Sequence, residues 1–195
     1  RLPTAAQIIF KSAYYLPVVT SGVVLSLIWL YLYDPAFGLL NFVLGRLGLD
    51  SVLWLANPKT SLLSLVIMYH ASHWGASIIL LTASMGGIPE DLYEAARIDG
   101  ASIVRQAISI TLPLLKPAIT YVAITGTIAS LQIFTEIFLM TSGGPNLATT
   151  NLVYFTYEQG FIRFGFGMAS DVAVILLVLT AGIAIVQFRL LRSDV

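Results

Sequence analysis

YEAARIDGASIVRQAISITLPLLKP, Tyr93 to Pro117, is the stretch on which the fold of this chain turns. Counted from Glu90 it carries seven charged residues: Glu90, Asp91, Glu94, Arg97, Asp99, Arg105 and Lys116. Charge is scarce elsewhere, at 10% of 195 residues, where a soluble domain carries about a quarter. On either side the chain is apolar. Thr60–Ile88 has no charged residue and Ala118–Met140 has one, Glu136. A charged, Gly- and Pro-punctuated segment between two such runs is a connector between elements that sit in another solvent.

The segment organises itself by local chemistry. Pro89 suits a first helical position, where a missing N–H costs nothing. Glu90 and Asp91 favour the positive end of the helix dipole, and Gly100 is a natural stop. A short helix is predicted over 89–99, with Glu90, Glu94 and Arg97 on one face and Leu92, Ala95 and Ala96 on the other. Ser102 caps a second short helix over 103–111, and Pro113 and Pro117 break the chain before the next apolar run. Asp99 is unfavourable at a helix C-terminus, so its carboxylate is expected to cap the turn through Gly100 to Ser102.

The apolar runs set the fold class: all-α, a polytopic transmembrane helix bundle. Crossing a bilayer takes about 20 apolar helical residues. Four spans are predicted, over about 12–33, 61–86, 118–140 and 168–188, with the connector at 87–117. Helices apolar all round need lipid or a very large core, so a soluble all-α protein is the weaker alternative. Lys and Arg in the loops orient the spans. Arg1, Lys11, Arg97, Arg105, Lys116, Arg189 and Arg192 fall on one side, and Arg46, Lys59 and Arg163 on the other. The first side is expected to be cytoplasmic, with both ends of the chain. Loops 34–59 and 141–165 then lie outside, rich in aromatics suited to a membrane surface. Ser142–Asn146 reads as a turn.

Several functions are excluded or weakened. Zero net charge argues against nucleic-acid binding. There is no cysteine, hence no thiolate chemistry. His70 and His73 share a helix face, but nothing completes a zinc ligand set, so no metal is expected. No Gly-x-x-x-x-Gly-Lys-Ser/Thr occurs, so any ATP is bound by a partner. Polar groups within spans mark wet paths or interhelical contacts. His70, His73, Ser77 and Ser84 form one narrow stripe, and Tyr121, Thr125, Gln132 and Glu136 another; these are candidate pathway residues. Glu136 is placed near the outer end of its span, within reach of headgroups. Trp29 and Trp54 are read as interface anchors. An intramembrane enzyme would require the histidines and Glu136 to converge. A stand-alone secondary transporter would show helices broken at mid-membrane, which the sequence does not reveal.

Glu94-Ala95-Ala96, Asp99-Gly100-Ala101, then Ile110-Thr111-Leu112-Pro113 and Pro117 resemble the EAA loop of ABC importer permeases. Tyr15–Asn41 and Thr141–Phe161 are similar to the carbohydrate permeases of the maltose and glycerol-phosphate type. The resemblance implies a bacterial or archaeal inner-membrane subunit, comprising the last four helices of a six-helix core. It implies a second permease subunit, a cytoplasmic ATPase dimer and an extracytoplasmic solute-binding protein as partners. It also implies that Glu94, Ala95, Ala96, Asp99, Gly100, Ala101, Leu112 and Pro113 couple to the ATPase. Val104 and Ala107 stand where the family carries bulkier side chains, and Asp171 where it carries a small residue.

Overall fold

The structure, a computed structural model, describes residues 4–191, with side chains from Phe10 onward except that of Lys11. Arg1, Arg192 and the Lys11 side chain, counted above for orientation, lie outside the described residues. Every regular element among these residues is helical.

α1 (Thr4–Val19) and α2 (Gly22–Leu32) replace the single helix expected over 12–33. The chain turns by 110° between them. Hydropathy continues through Thr20-Ser21-Gly22, but the backbone does not. Thr20 closes the last turn of α1, its N–H bonding Pro17 O and its hydroxyl bonding Leu16 O. Ser21 then adopts extended backbone at the start of α2.

α3 (Leu39–Arg46) follows, and α4 (Pro58–Gly86) is the first long straight helix. Its start is encoded locally: Asn57 Oδ1 accepts the Lys59 N–H, and Pro58 occupies the first turn. One face of α4 buries Ser61, Ser64, Leu65, Met68, Ser72 and Gly75. Small residues on that stripe let neighbouring backbones come close. At Gly75 a Cβ would stand 2.1 Å from the Tyr14 carbonyl oxygen of α1, so only glycine fits.

α5 (Glu90–Ile98) is the short charged helix, with Pro89 as its N-cap rather than its first helical residue. α6 (Ile103–Gln106) is capped as expected, Ser102 Oγ accepting the Arg105 N–H. A π-turn over Ala107–Thr111 then leads directly into α7 (Leu112–Leu131). The predicted break at Pro113 and Pro117 is therefore absent. The wider π-turn carries the helix past Ser109, the carbonyl that the Pro113 ring would meet in regular α geometry. Ile103–Met140 forms one apolar run of 38 residues, interrupted only at 132–134 before α8 (Thr135–Met140). α9 (Leu152–Tyr157) with a second π-turn over 158–162 leads to α10 (Phe166–Leu191).

Three of these runs, α4, Ile103–Met140 and α10, are long and apolar enough to cross a membrane; the bent pair α1–α2 makes a fourth if counted as one span. α1 packs on α4, α2 on α8, and α10 on α7 and α9. The core joins Leu25, Tyr33, Leu65, Met68, Ile137 and Met140. Trp29 and Trp54, partly buried, pack against it: each stacks obliquely on Tyr33, and their indoles donate to Ser72 and Asn41. The Tyr33 hydroxyl donates to Ser64 O at 2.8 Å.

Candidate functional site

The connector between α4 and α7 leaves an uncovered surface. No residue of α5 or α6 is buried. Glu94 and Ala95 are exposed, while Ala96 and Ala101 are half-buried against the loop itself. Gly100 turns the chain at φ +75°, a conformation costing other L-residues about 1–2 kcal/mol. Backbone bonds close the turn: Asp99 N–H to Ala95 O, Gly100 N–H to Arg97 O and Ala101 N–H to Ala96 O. Gln106 Nε2 adds a bond to Ala101 O. The expected Asp99 carboxylate cap does not form; the backbone closes the turn without it. Beside the turn, Ile98 and Ile103 are 87% and 84% exposed, and Val104 and Ile108 are exposed as well. Tyr93 ties α5 to the π-turn through a 2.8 Å contact of its hydroxyl with that of Thr111. Leu112 and Pro113 lie in the first turn of α7, both exposed. The helix dipole and Gly signals found this element in the sequence; its bare isoleucines only the structure reveals.

The second region lies between α4 and α7–α8. A cavity of about 570 Å³ is walled by His70, His73 and Ser77 of α4 and by Thr125 and Ser130 of α7. A second, of about 300 Å³, is walled by Glu136 of α8 and by the 148–151 segment. Tyr69, His70 and Ser130 line both. Of the two predicted stripes, His70, His73, Ser77, Thr125 and Glu136 therefore come together. Tyr121, Gln132 and Ser84 line neither cavity; Tyr121 and Gln132 are exposed.

Glu136 is corrected in place. It does not reach an outer surface: it is 7% exposed, with Oε1 3.6 Å from His73 Nε2, near the middle of α4. The packing of α8 on α2 holds it inward, with Gly22 next to its carboxylate oxygen. The Tyr69 ring stacks on His73 with centroids 4.1 Å apart. Tyr69 and Ser130 were missed in the sequence, although both neighbour the predicted stripes by one turn or less. Among the described residues no group of three His, Cys, Asp or Glu is placed to hold a metal.

The 141–151 segment closes over the smaller cavity. Gly143, at φ +77°, packs against Tyr154, and a Cβ there would stand 2.6 Å from Thr150 Oγ1. Thr149, buried, donates to Gly144 O, and its hydroxyl lies 2.7 Å from that of Thr141. Asn151 Nδ2 donates to Ile133 O, tying this segment to the helix break. Burial, with Glu158 and Tyr157 nearby, pushes the Tyr154 hydroxyl above the ordinary tyrosine range, while a Ser142 hydrogen bond pulls the other way.

Comparison with known proteins places this geometry. The chain is 34% identical over 187 residues to a probable ABC transporter permease of Bacillus subtilis. It is 35% identical over 192 residues to a trehalose/maltose transport system permease of Thermococcus litoralis, and 36% identical over 180 residues to a sulfoquinovosyl glycerol transport system permease of Agrobacterium fabrum. These matches cover 94%, 95% and 91% of this chain and 64%, 63% and 56% of the relatives. The chain thus spans about three-fifths of the length of those relatives. The backbone superposes with a TM-score of 0.88, at 22% identity, on a chain of a bacterial ABC transporter that imports the acidic polysaccharide alginate, covering 98% of this chain and 68% of that one. The profile of one family matches residues 4–193. This multi-pass helical chain belongs to the family of binding-protein-dependent transport system inner membrane components.

Proposed function

We propose that this chain is the membrane-spanning permease subunit of an ATP-driven importer for a sugar or sugar derivative. It forms half of the translocation path, beside a second permease, and receives its solute from an extracytoplasmic binding protein. The α5–α6 connector faces the cytoplasm, where it docks on a separate ATPase dimer. The observation that carries this reading is family membership joined to an uncovered α5 whose turn exposes Ile98 and Ile103. Glu94, exposed on the acidic face, suits a basic partner group, and Gly100 lets the chain reverse beneath it. Asp99 and Ala101 shape that turn, Ala95 and Ala96 permit close approach, and Leu112 and Pro113 set the start of α7.

His70, His73, Ser77, Thr125 and Glu136 line this half of the path. The names of relatives include trehalose/maltose, sulfoquinovosyl glycerol, sn-glycerol-3-phosphate and arabinooligosaccharide systems. They support a sugar or polyol solute and leave its charge open.

The reconstituted importer tests the coupling. Glu94→Lys and Gly100→Pro, the latter forcing φ toward −65°, are each expected to reduce ATP-driven uptake at least tenfold while the complex still assembles. Full uptake in both variants refutes the docking role. Two other readings have some support. The breaks at 20–21 and 132–134 favour a stand-alone secondary transporter, which would keep transporting with no ATPase present. His73 and Glu136 do converge, as an intramembrane enzyme would require. Among the described residues, however, no hydroxyl hydrogen-bonds to either side chain, so no Ser, Thr or Tyr nucleophile is paired with them.

A further inference from the structure

Resting on the permease reading, the chemistry of the cavity walls narrows the solute. Three of the hydroxyls facing the larger cavity, those of Thr125, Thr127 and Ser130, have already committed their protons, Thr127 to Ala123 O. Thr125 donates to Tyr121 O at 2.8 Å and Ser130 to Thr127 O at 2.9 Å. At the smaller cavity, Thr149 and Thr150 donate to Gly144 O and Gly143 O. What these groups can still offer a ligand is lone pairs.

The histidines point the same way. His70 Nδ1 lies 2.8 Å from Val66 O and His73 Nδ1 lies 2.9 Å from Tyr69 O. A carbonyl only accepts, so each Nδ1 carries the hydrogen, and in the neutral ring each Nε2 is an acceptor. His73 Nε2 faces Glu136 Oε1. A single proton between those two atoms leaves the pair neutral, and none leaves it at −1. Among the described residues, no Lys or Arg lines either cavity. Uncommitted donors remain on Tyr69, Trp74 and Ser77 and on the second Nδ2 hydrogen of Asn151, and none of them is cationic.

We infer that this half of the pathway is an acceptor-lined surface that takes polyhydroxylated solutes without an anionic group. It selects against uronates, sugar phosphates and sulfonates. A neutral sugar brings hydroxyl donors to every lone pair on the wall, and Glu136 gives the strongest such bond, because charge-assisted bonds are about twice as strong as neutral ones. An anionic group brings only acceptors, meets no Lys or Arg on either wall, and approaches the buried Glu136 carboxyl group.

The test uses the complete importer, purified with its partner subunits and binding protein. Two readouts run in parallel: equilibrium retention of probe by the detergent-solubilised complex, and ATP-dependent uptake into vesicles. The probes are radiolabelled di- and trisaccharides in an uncharged set and a uronate set. Retention is expected from the uncharged set, at least tenfold above the uronates. Glu136→Gln, nearly isosteric, is expected to raise the KM for the retained sugar about tenfold with kcat within threefold. Thr125→Val, a milder change on an open wall, should raise it about threefold.

Preferred retention or uptake of uronates overturns the inference, as does Glu136→Gln with a KM within twofold of wild type. Retention of uncharged sugar without ATP-dependent uptake supports the inference and refutes the ATP-driven reading. ATP-driven uptake of uronates does the reverse. No retention and no uptake of any probe refutes both.

Discussion

Tyr33, Gly75 and Glu136 carry more of this structure than their residue types announce. Tyr33 is almost wholly buried between two tryptophans, with its hydroxyl bonded to Ser64 O. Tyr33→Phe removes one buried hydrogen bond, worth about 1 kcal/mol. It should lower the thermal midpoint of the detergent-solubilised protein by about 2–4 °C. At Gly75, a methyl group would collide with the Tyr14 carbonyl of the α1 backbone as well as with the Val18 side chain. Gly75→Ala is expected to cost about 1–3 kcal/mol, read as a larger fall in the same midpoint; an unchanged midpoint would mean α1 yields easily. The sequence marks Glu136 as a member of a polar stripe but does not show that it is buried against His73. What brings it to His73 is the packing of α8 against α2 and α4. Tertiary packing set that position, and no local pattern carries it.

Among the elements, the connector was the most legible, because caps, dipoles and Gly turns act within a few residues of one another. α5, the Ser102 cap and the Gly100 turn all follow from such signals. Removing the cap by Ser102→Ala should destabilise α6 by about 1 kcal/mol. That predicts faster amide exchange at 103–106 with little change in α4. Prolines misled in both directions. Pro113 and Pro117 look like breakers yet sit inside a helix that a π-turn accommodates. The actual break, at Thr20–Ser21, lies in an uninterrupted apolar run whose only marks are Ser21-Gly22 and the upstream Pro17. Hydropathy measures how a segment partitions into lipid; it does not measure whether its backbone is continuous.

For the whole molecule, the absence of cysteine makes sidedness directly measurable. Val104→Cys and Leu147→Cys both fall at well-exposed positions, one on the connector and one on the 141–151 segment. With a membrane-impermeant maleimide, Leu147→Cys should label in intact cells and Val104→Cys only after permeabilisation; the opposite pattern inverts the proposed orientation. The all-helical class was readable from composition alone, since long uncharged apolar runs have few other solutions. Which polar residues meet was not, because it depends on how far each helix bends. The π-turn has one more effect at this scale. Ile103 and Ser130 belong to a single continuous helical body, one end at the exposed connector and the other at the cavity wall. Taking Pro117 as a pivot, Ser130 lies ~20 Å away at 1.5 Å per residue, so a tilt of ~5° sweeps it sideways by ~1.7 Å. That is more than half the length of a hydrogen bond, so a small rocking of the exposed end is enough to change which lone pairs a bound solute can reach.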